Sequence, residues 1–158
     1  MKGTSMAVEQ RLRQLGITLP AAAAPAANYV PFVRSGNMVF VSGQLPLVDG
    51  QLLHPGIVGR DVNLDQAIEA AQQCGLNIIA QLNAALDGDL ERVRRIVRLG
   101  GFVACVDGFK DQPKVINGAS DLMVAVFGEA GRHARAAVGT NALPLGASVE
   151  VDAVAEVA

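Results

Sequence analysis

The stretch ARAAVGTNALPLGASVEVDA, residues 134–153, decides how the C-terminal half of this chain folds. Its small and β-branched residues predict two strands, at about 134–141 and 147–157, which ALPLG would join as a hairpin. Arg135 in the first strand and Glu150 in the second interrupt this apolar background. Residue types alone favour a mutual salt bridge or solvated charges at a sheet edge.

A second pair of strands is predicted in YVPFVRSGNMVFVSGQ, residues 29–44. Its β-branched and aromatic residues flank a turn at residues 35–37, where serine, glycine and asparagine favour a tight reversal. Residues 38–41 are all apolar, so both faces of their strand should be shielded from water. Helices are expected on one face only, which predicts that other subunits of a closed homo-oligomer cover the second face.

Two main helices and one strand lie between these strand pairs. Apolar or small residues at 64, 68, 71, 75, 78, 82 and 85 predict a helix over 63–87 with one buried stripe. Gly75 in this stripe costs about 1 kcal/mol against alanine, so we expect the helix backbone to approach the sheet closely there. Residues 93–105 predict a strand, and Pro113 begins a second helix that Gly128 ends.

The predicted order is β-hairpin, helix, strand, helix, β-hairpin. This order indicates an α+β domain with a single sheet and two main helices on one face. Residues 5–15 have the apolar spacing of an additional short helix, and LPAAAAPAA at 19–27 reads as an extended connector. We therefore divide the chain into a helix with connector, 1–27, and a compact domain, 28–158.

Composition narrows the classes of function. The chain has 158 residues, which suit one domain, and its 51% hydrophobic content against 18% charged residues favours burial between subunits. There is no apolar run of membrane-spanning length and no signal-peptide core near the start, so we expect a cytoplasmic protein without membrane contact.

Neither a metal site nor a nucleic-acid surface is favoured. The two cysteines, Cys74 and Cys105, and the two histidines, His54 and His133, show no ligand spacing, so no metal and no disulfide is predicted. A net charge of −2 gives no general attraction to phosphate. RVRRIVR at 92–98 splits its arginines between strand faces, which favours solvated or intersubunit arginines over RNA contact.

With these elements placed, the chain resembles the Rid family, the reactive intermediate deaminases also called the YjgF family. The resemblance rests on RSGNMVFVSGQLPL (34–47), QPKVINGASDLMVAVFGE (112–129) and ARAAVGTNALPLGASVEVDAVA (134–155). It implies a chorismate-mutase-like fold with a single mixed sheet. It also implies a homotrimer with a central barrel and a ligand cleft at each subunit interface.

The resemblance further implies a reaction, the hydrolysis of enamines and 2-imino acids to 2-keto acids and ammonia, without cofactor or metal. This is the activity of a 2-iminoalkanoate deaminase, a hydrolase acting on C=N bonds. Arg135 matches the family's arginine that holds the substrate carboxylate, and a guanidinium suits this task because it presents a planar fork of donors. Glu150 matches the acid that places the hydrolytic water, although Asp152 is predicted on the same strand face and is an alternative.

Other positions match residues that line the family's cleft. The backbone N–H of Ala137 would share the substrate carboxylate, and Tyr29 would reach the cleft from a neighbouring subunit. Ser42, Gly43 and Asn117 match further lining positions. This chain departs from the family pattern at Ala137, where many members have cysteine, and in ANYVPF at 27–32, where a glycine-proline-tyrosine start is usual.

Two other functions remain open at this point. The first is an endoribonuclease or translation inhibitor, which would use the arginines at 92–98 for affinity. The second is a non-catalytic trimer that binds small carboxylates, which would need Arg135 but not Glu150.

Overall fold

A computed structural model describes residues 7–24 and 27–158 of the chain. Its core is a five-stranded sheet beside a separate two-stranded ribbon. The strands in chain order are β1 (Phe32–Ser35), β2 (Met38–Gln44), β3 (Leu47–Val48), β4 (Gln51–Leu52), β5 (Val93–Ala104), β6 (Ala134–Thr140) and β7 (Val149–Val157). The helices are α1 (Ala7–Gln14), α2 (Leu64–Ala85) and α3 (Gln112–Phe127). The first two residues of the predicted helix 5–15, and Pro25 and Ala26 of the connector, lie outside the described residues.

The sheet is mixed, with the order β1-β2-β7-β5-β6. Strand β6 runs parallel to β5, and the other neighbours are antiparallel. The predicted hairpin of the last two strands is therefore wrong, because β5 lies between β6 and β7 and pairs with both. The α3 crossover brings the chain from β5 to the parallel edge strand β6, and the turn at Pro144–Gly146 then precedes β7 on the far side of β5.

Helices α2 and α3 cover one face of the sheet. Asn63 begins α2 with a capping box, in which its side chain accepts from the Gln66 N–H at 2.9 Å. The predicted close approach at Gly75 is real, but its partner is α3 and not the sheet: a Cβ there would lie 3.0 Å from Leu122 Cδ2. Gly118 makes the reciprocal approach, because its Cα faces the backbone of α2 at Ile68 and Gln72. Glycine lets the two helices pack closely enough to share one sheet face.

The opposite sheet face carries no helix in the described part of the chain. The odd-numbered residues of β7 are buried, whereas the even-numbered ones, Glu150 to Glu156, are half-buried. Four large apolar side chains are exposed on neighbouring strands of this open face: Val33, Phe40, Phe102 and Val138. The predicted uncovered apolar face is therefore confirmed.

The N-terminal helix packs against the domain. Val8 and Leu12 of α1 are buried in the main hydrophobic cluster, and Glu91 accepts a hydrogen bond from the Val8 N–H at 2.8 Å. The division of the chain at residue 27 stays a prediction. Within the described residues, no helix is both long and apolar enough to span a bilayer.

Candidate functional site

The Arg135 side chain lies between β6 and α3. Along β6, Arg135, Ala137 and Gly139 pair with Leu99, Gly101 and Val103, the residues of β5 that face the helices. Arg135 donates from Nη1 to Ser120 Oγ at 3.0 Å and from Nη2 to the Pro113 carbonyl at 3.2 Å. The described residues give it no carboxylate partner. A guanidinium held by neutral acceptors keeps its charge available for a ligand.

A cavity of about 260 Å³ opens beside this guanidinium. The wall that α3 supplies includes Asn117 and Ser120, and the opposite wall includes Arg132 and His133. The other cation of the cavity, Arg132, is held by Glu129 at 3.1 Å and is largely exposed. Arg135 is thus the cation of this cavity best placed to bind an anion.

Glu150 lies on the opposite, open face of the sheet. A Cβ at Gly43 would lie 3.0 Å from Glu150 Cδ, so glycine at 43 makes room for this carboxylate. Gly43 and the exposed Tyr29 also line one small cavity of about 60 Å³. Ser42, the neighbour of Gly43, donates from its hydroxyl to the Val30 carbonyl at 2.7 Å. The structure therefore brings Tyr29, Ser42, Gly43 and Glu150 into one region.

The electrostatics distinguish Glu150 from Asp152. Partial burial, and secondarily the charge of Asp152, raise the pKa of Glu150 above its ordinary value. No cation within the described residues pairs with Glu150, whereas Asp152 lies 3.6 Å from Arg98. A carboxylate with a raised pKa and no cation partner is the better proton acceptor near neutral pH.

Within one chain, Arg135 and Glu150 do not meet. Arg135 is level with Ala153 across β5, on the helix-covered face, and Glu150 is three residues farther along β7 on the open face. Neighbouring strands lie about 4.8 Å apart and residues rise about 3.3 Å, so the two backbones are roughly 14 Å apart. One chain therefore places Arg135 and Glu150 on opposite faces of its sheet, with β5 between their two strands.

Ser120 and His133 are not predicted from the sequence as site residues. Ser120 contacts Arg135 directly, and His133 contacts Ser120. His133 precedes β6, and its ring lies 2.8 Å from Ser120 Oγ. The sequence did contain a signal for this grouping. Asn117 and Ser120 are three residues apart and so share one helix face, and His133 is two residues before Arg135 in extended chain and so shares its side.

A larger cavity lies elsewhere and contains none of these residues. It measures about 700 Å³ beneath α1 and is lined by apolar side chains such as Leu12, Ile17 and Leu90. Three of its charged side chains are already engaged, since Arg13 pairs with Glu9 at 3.0 Å and Glu91 binds the first turn of α1. We therefore base the candidate site on the chemistry around Arg135 and Glu150, not on cavity size.

The cysteines and metal-ligand types add no further site. Cys74 is buried, and burial, followed by the charge of Glu150, raises the pKa of its thiol well above the ordinary value. Cys105 is a half-buried free thiol. In the part of the chain that the structure describes, histidine, cysteine and acidic residues form no cluster of three or more.

Comparison with known proteins identifies relatives over nearly the whole chain. A family model described as "YjgF/chorismate mutase-like, putative endoribonuclease" matches residues 9–157, which include most of α1. Protein TCP17 of Trypanosoma cruzi is 51% identical over 150 residues, covering 94% of this chain and 93% of TCP17.

Solved structures share the fold. The Agrobacterium tumefaciens protein Atu1372, described as having unknown function, is 54% identical with a TM-score of 0.91, covering 99% of this chain and 96% of that one. A Shewanella oneidensis protein described as a "putative endoribonuclease" is 38% identical, also with a TM-score of 0.91, over 95% and 99% of the two chains. RidA from an Antarctic Psychrobacter is 28% identical with a TM-score of 0.58, over 89% and 99%.

Proposed function

Because the chain belongs to the YjgF/chorismate mutase-like family, we propose that it hydrolyses 2-imino acids, and the enamines that tautomerise to them, to 2-keto acids and ammonia. The observation that carries this proposal is the Arg135 guanidinium, held by neutral acceptors at the mouth of a cavity that fits a small ligand. The likeness to RidA supports it.

Arg135 binds the substrate carboxylate. Its two known acceptors, Ser120 Oγ and the Pro113 carbonyl, engage one hydrogen on each Nη atom. The Nε–H and the remaining Nη hydrogens have no acceptor within the described residues, so a carboxylate can accept two parallel hydrogen bonds from them. Asn117 lines the same cavity and offers amide groups to the rest of the ligand.

Glu150 places and deprotonates the attacking water. The water oxygen bonds to the imine carbon while Glu150 accepts a water proton, and the imine nitrogen gains protons as the C=N bond is lost. Expulsion of ammonia and formation of C=O complete the exchange of one water for one ammonia. Holding the water beside the carbon makes the attack nearly intramolecular, and this chemistry needs only proton transfer.

Two chains share each site in this proposal. Arg135 and Glu150 of one chain lie on opposite sheet faces, so a site containing both requires Arg135 of one copy and Glu150 of another. The exposed apolar residues of the open face supply the surface for such an assembly, and we propose the trimer with a central barrel. Tyr29 and Gly43 would accompany Glu150, and Ala137 would accompany Arg135.

A trapping assay tests the activity. An amino-acid oxidase generates the imine, semicarbazide traps it, and hydrolysis by this protein lowers the yield of trapped product. We expect Arg135→Ala and Glu150→Gln each to abolish the effect, whereas Arg132→Ala, in the same cavity, and Glu156→Gln, on the same strand face, should retain it. Full activity of Arg135→Ala would overturn the proposal.

The exposure of Arg94, Arg95 and Arg98 on β5 favours RNA binding as a second candidate. Two register irregularities, between Val93 and Arg95 and between Ile96 and Arg98, accompany this exposed run. RNA cleavage that weakens steeply with salt and disappears in Arg94→Gln/Arg95→Gln would support an endoribonuclease. Binding of keto acids without any hydrolysis, unaffected by Glu150→Gln, would instead indicate a non-catalytic carboxylate-binding protein.

A further inference from the structure

We propose that Ser120 and His133 are positioning residues for Arg135, and that together they orient its guanidinium for a carboxylate. This inference rests on the proposed function for the identity of the ligand. A chain of hydrogen bonds that joins α3, the loop before β6, and β6 itself supports it. None of its members other than Arg135 was assigned a role from the sequence.

The groups at the two ends of this chain of hydrogen bonds determine which atoms carry the hydrogens. His133 Nδ1 lies 2.6 Å from the Gly131 carbonyl oxygen, which can only accept, so Nδ1 carries the hydrogen. In a neutral imidazole, Nε2 is then an acceptor, and its partner at 2.8 Å is Ser120 Oγ. Ser120 therefore donates its hydroxyl hydrogen to His133.

The same hydroxyl accepts from the arginine. Arg135 Nη1 lies 3.0 Å from Ser120 Oγ, and a guanidinium can only donate. Because the Ser120 hydrogen is committed to His133, a lone pair of Oγ faces Arg135. The Pro113 carbonyl holds Nη2 at 3.2 Å, so two acceptors from α3 fix the guanidinium plane.

This arrangement differs from that of the neighbouring arginine. Arg132 is held by a carboxylate, Glu129, which neutralises its charge. The direct acceptors of Arg135, Ser120 Oγ and the Pro113 carbonyl, are uncharged groups, so orientation is gained without loss of charge. Flanking charges of the cavity are Asp121 on α3 and Arg132 before β6. A ligand carboxylate then meets a preoriented fork, which lowers the entropy lost on binding.

Nitrogen NMR of His133 tests the chain of hydrogen bonds without any ligand. The protein contains two histidines, so the NMR signals that disappear in His133→Gln belong to His133. We expect neutral His133 to be the Nδ1–H tautomer in the wild type, and Ser120→Ala to weaken this preference because Nε2 loses its donor. A dominant Nε2–H tautomer in the wild type would overturn the inference.

Pyruvate binding by calorimetry tests the consequence for recognition, with pyruvamide as the probe that lacks a carboxylate. Ser120→Ala should weaken pyruvate binding about tenfold, since the lost hydrogen bond involves a charged group. Ser120→Thr, which keeps the hydroxyl, and His133→Gln, whose Oε1 can still accept from it, should stay within about twofold. His133→Phe should behave like Ser120→Ala, and Thr18→Ala removes an exposed hydroxyl elsewhere as the matched control.

Two results in this assay would overturn the inference. One is unchanged pyruvate affinity in Ser120→Ala. The other is an equal loss for pyruvate and pyruvamide, which would indicate a merely structural role. If the wild type binds no pyruvate, the proposed function is overturned, while the tautomer of His133 still decides whether the hydrogen-bond chain exists.

Discussion

Replacing Gly43 by alanine adds one methyl group beside the Glu150 carboxylate. The new Cβ would lie 3.0 Å from Cδ and 3.2 Å from Cγ of Glu150 and would overlap Oε1. Ordinary carbon–carbon contacts are about 3.5–4.0 Å, so the carboxylate must move by about 1 Å. A displacement of this size in a water-placing group costs about 100-fold in rate. We therefore expect Gly43→Ala to lower kcat about 100-fold.

The fold should tolerate the same substitution. Gly43 does not have a positive φ, so alanine suits its backbone and stiffens the unfolded chain, which stabilises by about 0.4–1 kcal/mol. Moving the half-buried Glu150 off its rotamer costs about 0.5–1.5 kcal/mol, so the two effects nearly cancel. The melting temperature should change by less than about 4 °C.

Gly100→Ala is the matched control, because Gly100 lies on the same open face. Its added Cβ would lie 3.1 Å from Asp152 Cγ and 2.9 Å from Arg98 Nη1, and would displace that ion pair while leaving Glu150 in place. Imine trapping and thermal unfolding are measured on both variants. Gly43→Ala with wild-type kcat, or a larger loss in Gly100→Ala, would refute the assignment of the water to Glu150.

Three further predictions concern pH, packing and assembly. The pKa of Glu150 is raised in the folded chain, so its contribution to stability is greatest below its unfolded pKa of 4.5 and is lost as pH rises through the folded value. In calorimetry, the melting temperature of Glu150→Gln should therefore exceed that of the wild type by a growing margin as the pH rises from 4 to 8. A constant difference between the two melting temperatures would contradict this. Gly118→Ala forces a methyl group against the backbone of α2 at Ile68 and Gln72, which cannot move aside, so the free energy of unfolding in urea should fall by at least about 2 kcal/mol. A decrease below about 0.5 kcal/mol would show that α2 and α3 pack less closely. Phe40→Glu places a charge on the open face and should convert an oligomer to the 16.4 kDa chain in light scattering, whereas Leu15→Glu, an exposed position just after α1, should not. An unchanged mass of Phe40→Glu would exclude this face from the interface.

Local patterns predicted most of the elements. The 3.6-residue periodicity of residues 63–87 and the proline at position 113 placed α2 and α3, because both signals depend on nearby residues only. The uncovered sheet face followed from the apolar run at residues 38–41. These features needed no knowledge of which strand pairs with which.

Strand pairing was the part that local patterns could not give. Residues 134–157 read equally well as a hairpin or as two strands that flank β5, since both arrangements satisfy the same alternation. The difference decides where Arg135 and Glu150 lie. Likewise, the partner of Gly75 was α3 and not the sheet, because a glycine signals a close approach without identifying what approaches.

The candidate residues were found by type and resemblance, but their grouping was not. Arg135 shares a cavity with Asn117, and Glu150 shares a region with Gly43, on opposite sides of one sheet. Ser120 and His133 were not identified from the sequence, because a serine on a helix and a histidine in a loop are ordinary surface residues. Their role depends on a contact between segments 13 residues apart that only the folded chain creates.

Mixing two inactive variants shows whether Arg135 and Glu150 of different chains form one site. Arg135→Ala and Glu150→Gln chains are co-expressed with different tags, the mixed oligomers are isolated, and imine trapping is measured. In each isolated mixed trimer, whichever variant is in excess, roughly one third of the shared sites combine an intact arginine with an intact glutamate. We predict recovery of about one third of wild-type activity, and none when the Glu150→Gln chain also carries Arg135→Ala. If the mixture stays inactive although mixed oligomers form, Arg135 and Glu150 do not act together across chains, which contradicts a site shared between subunits.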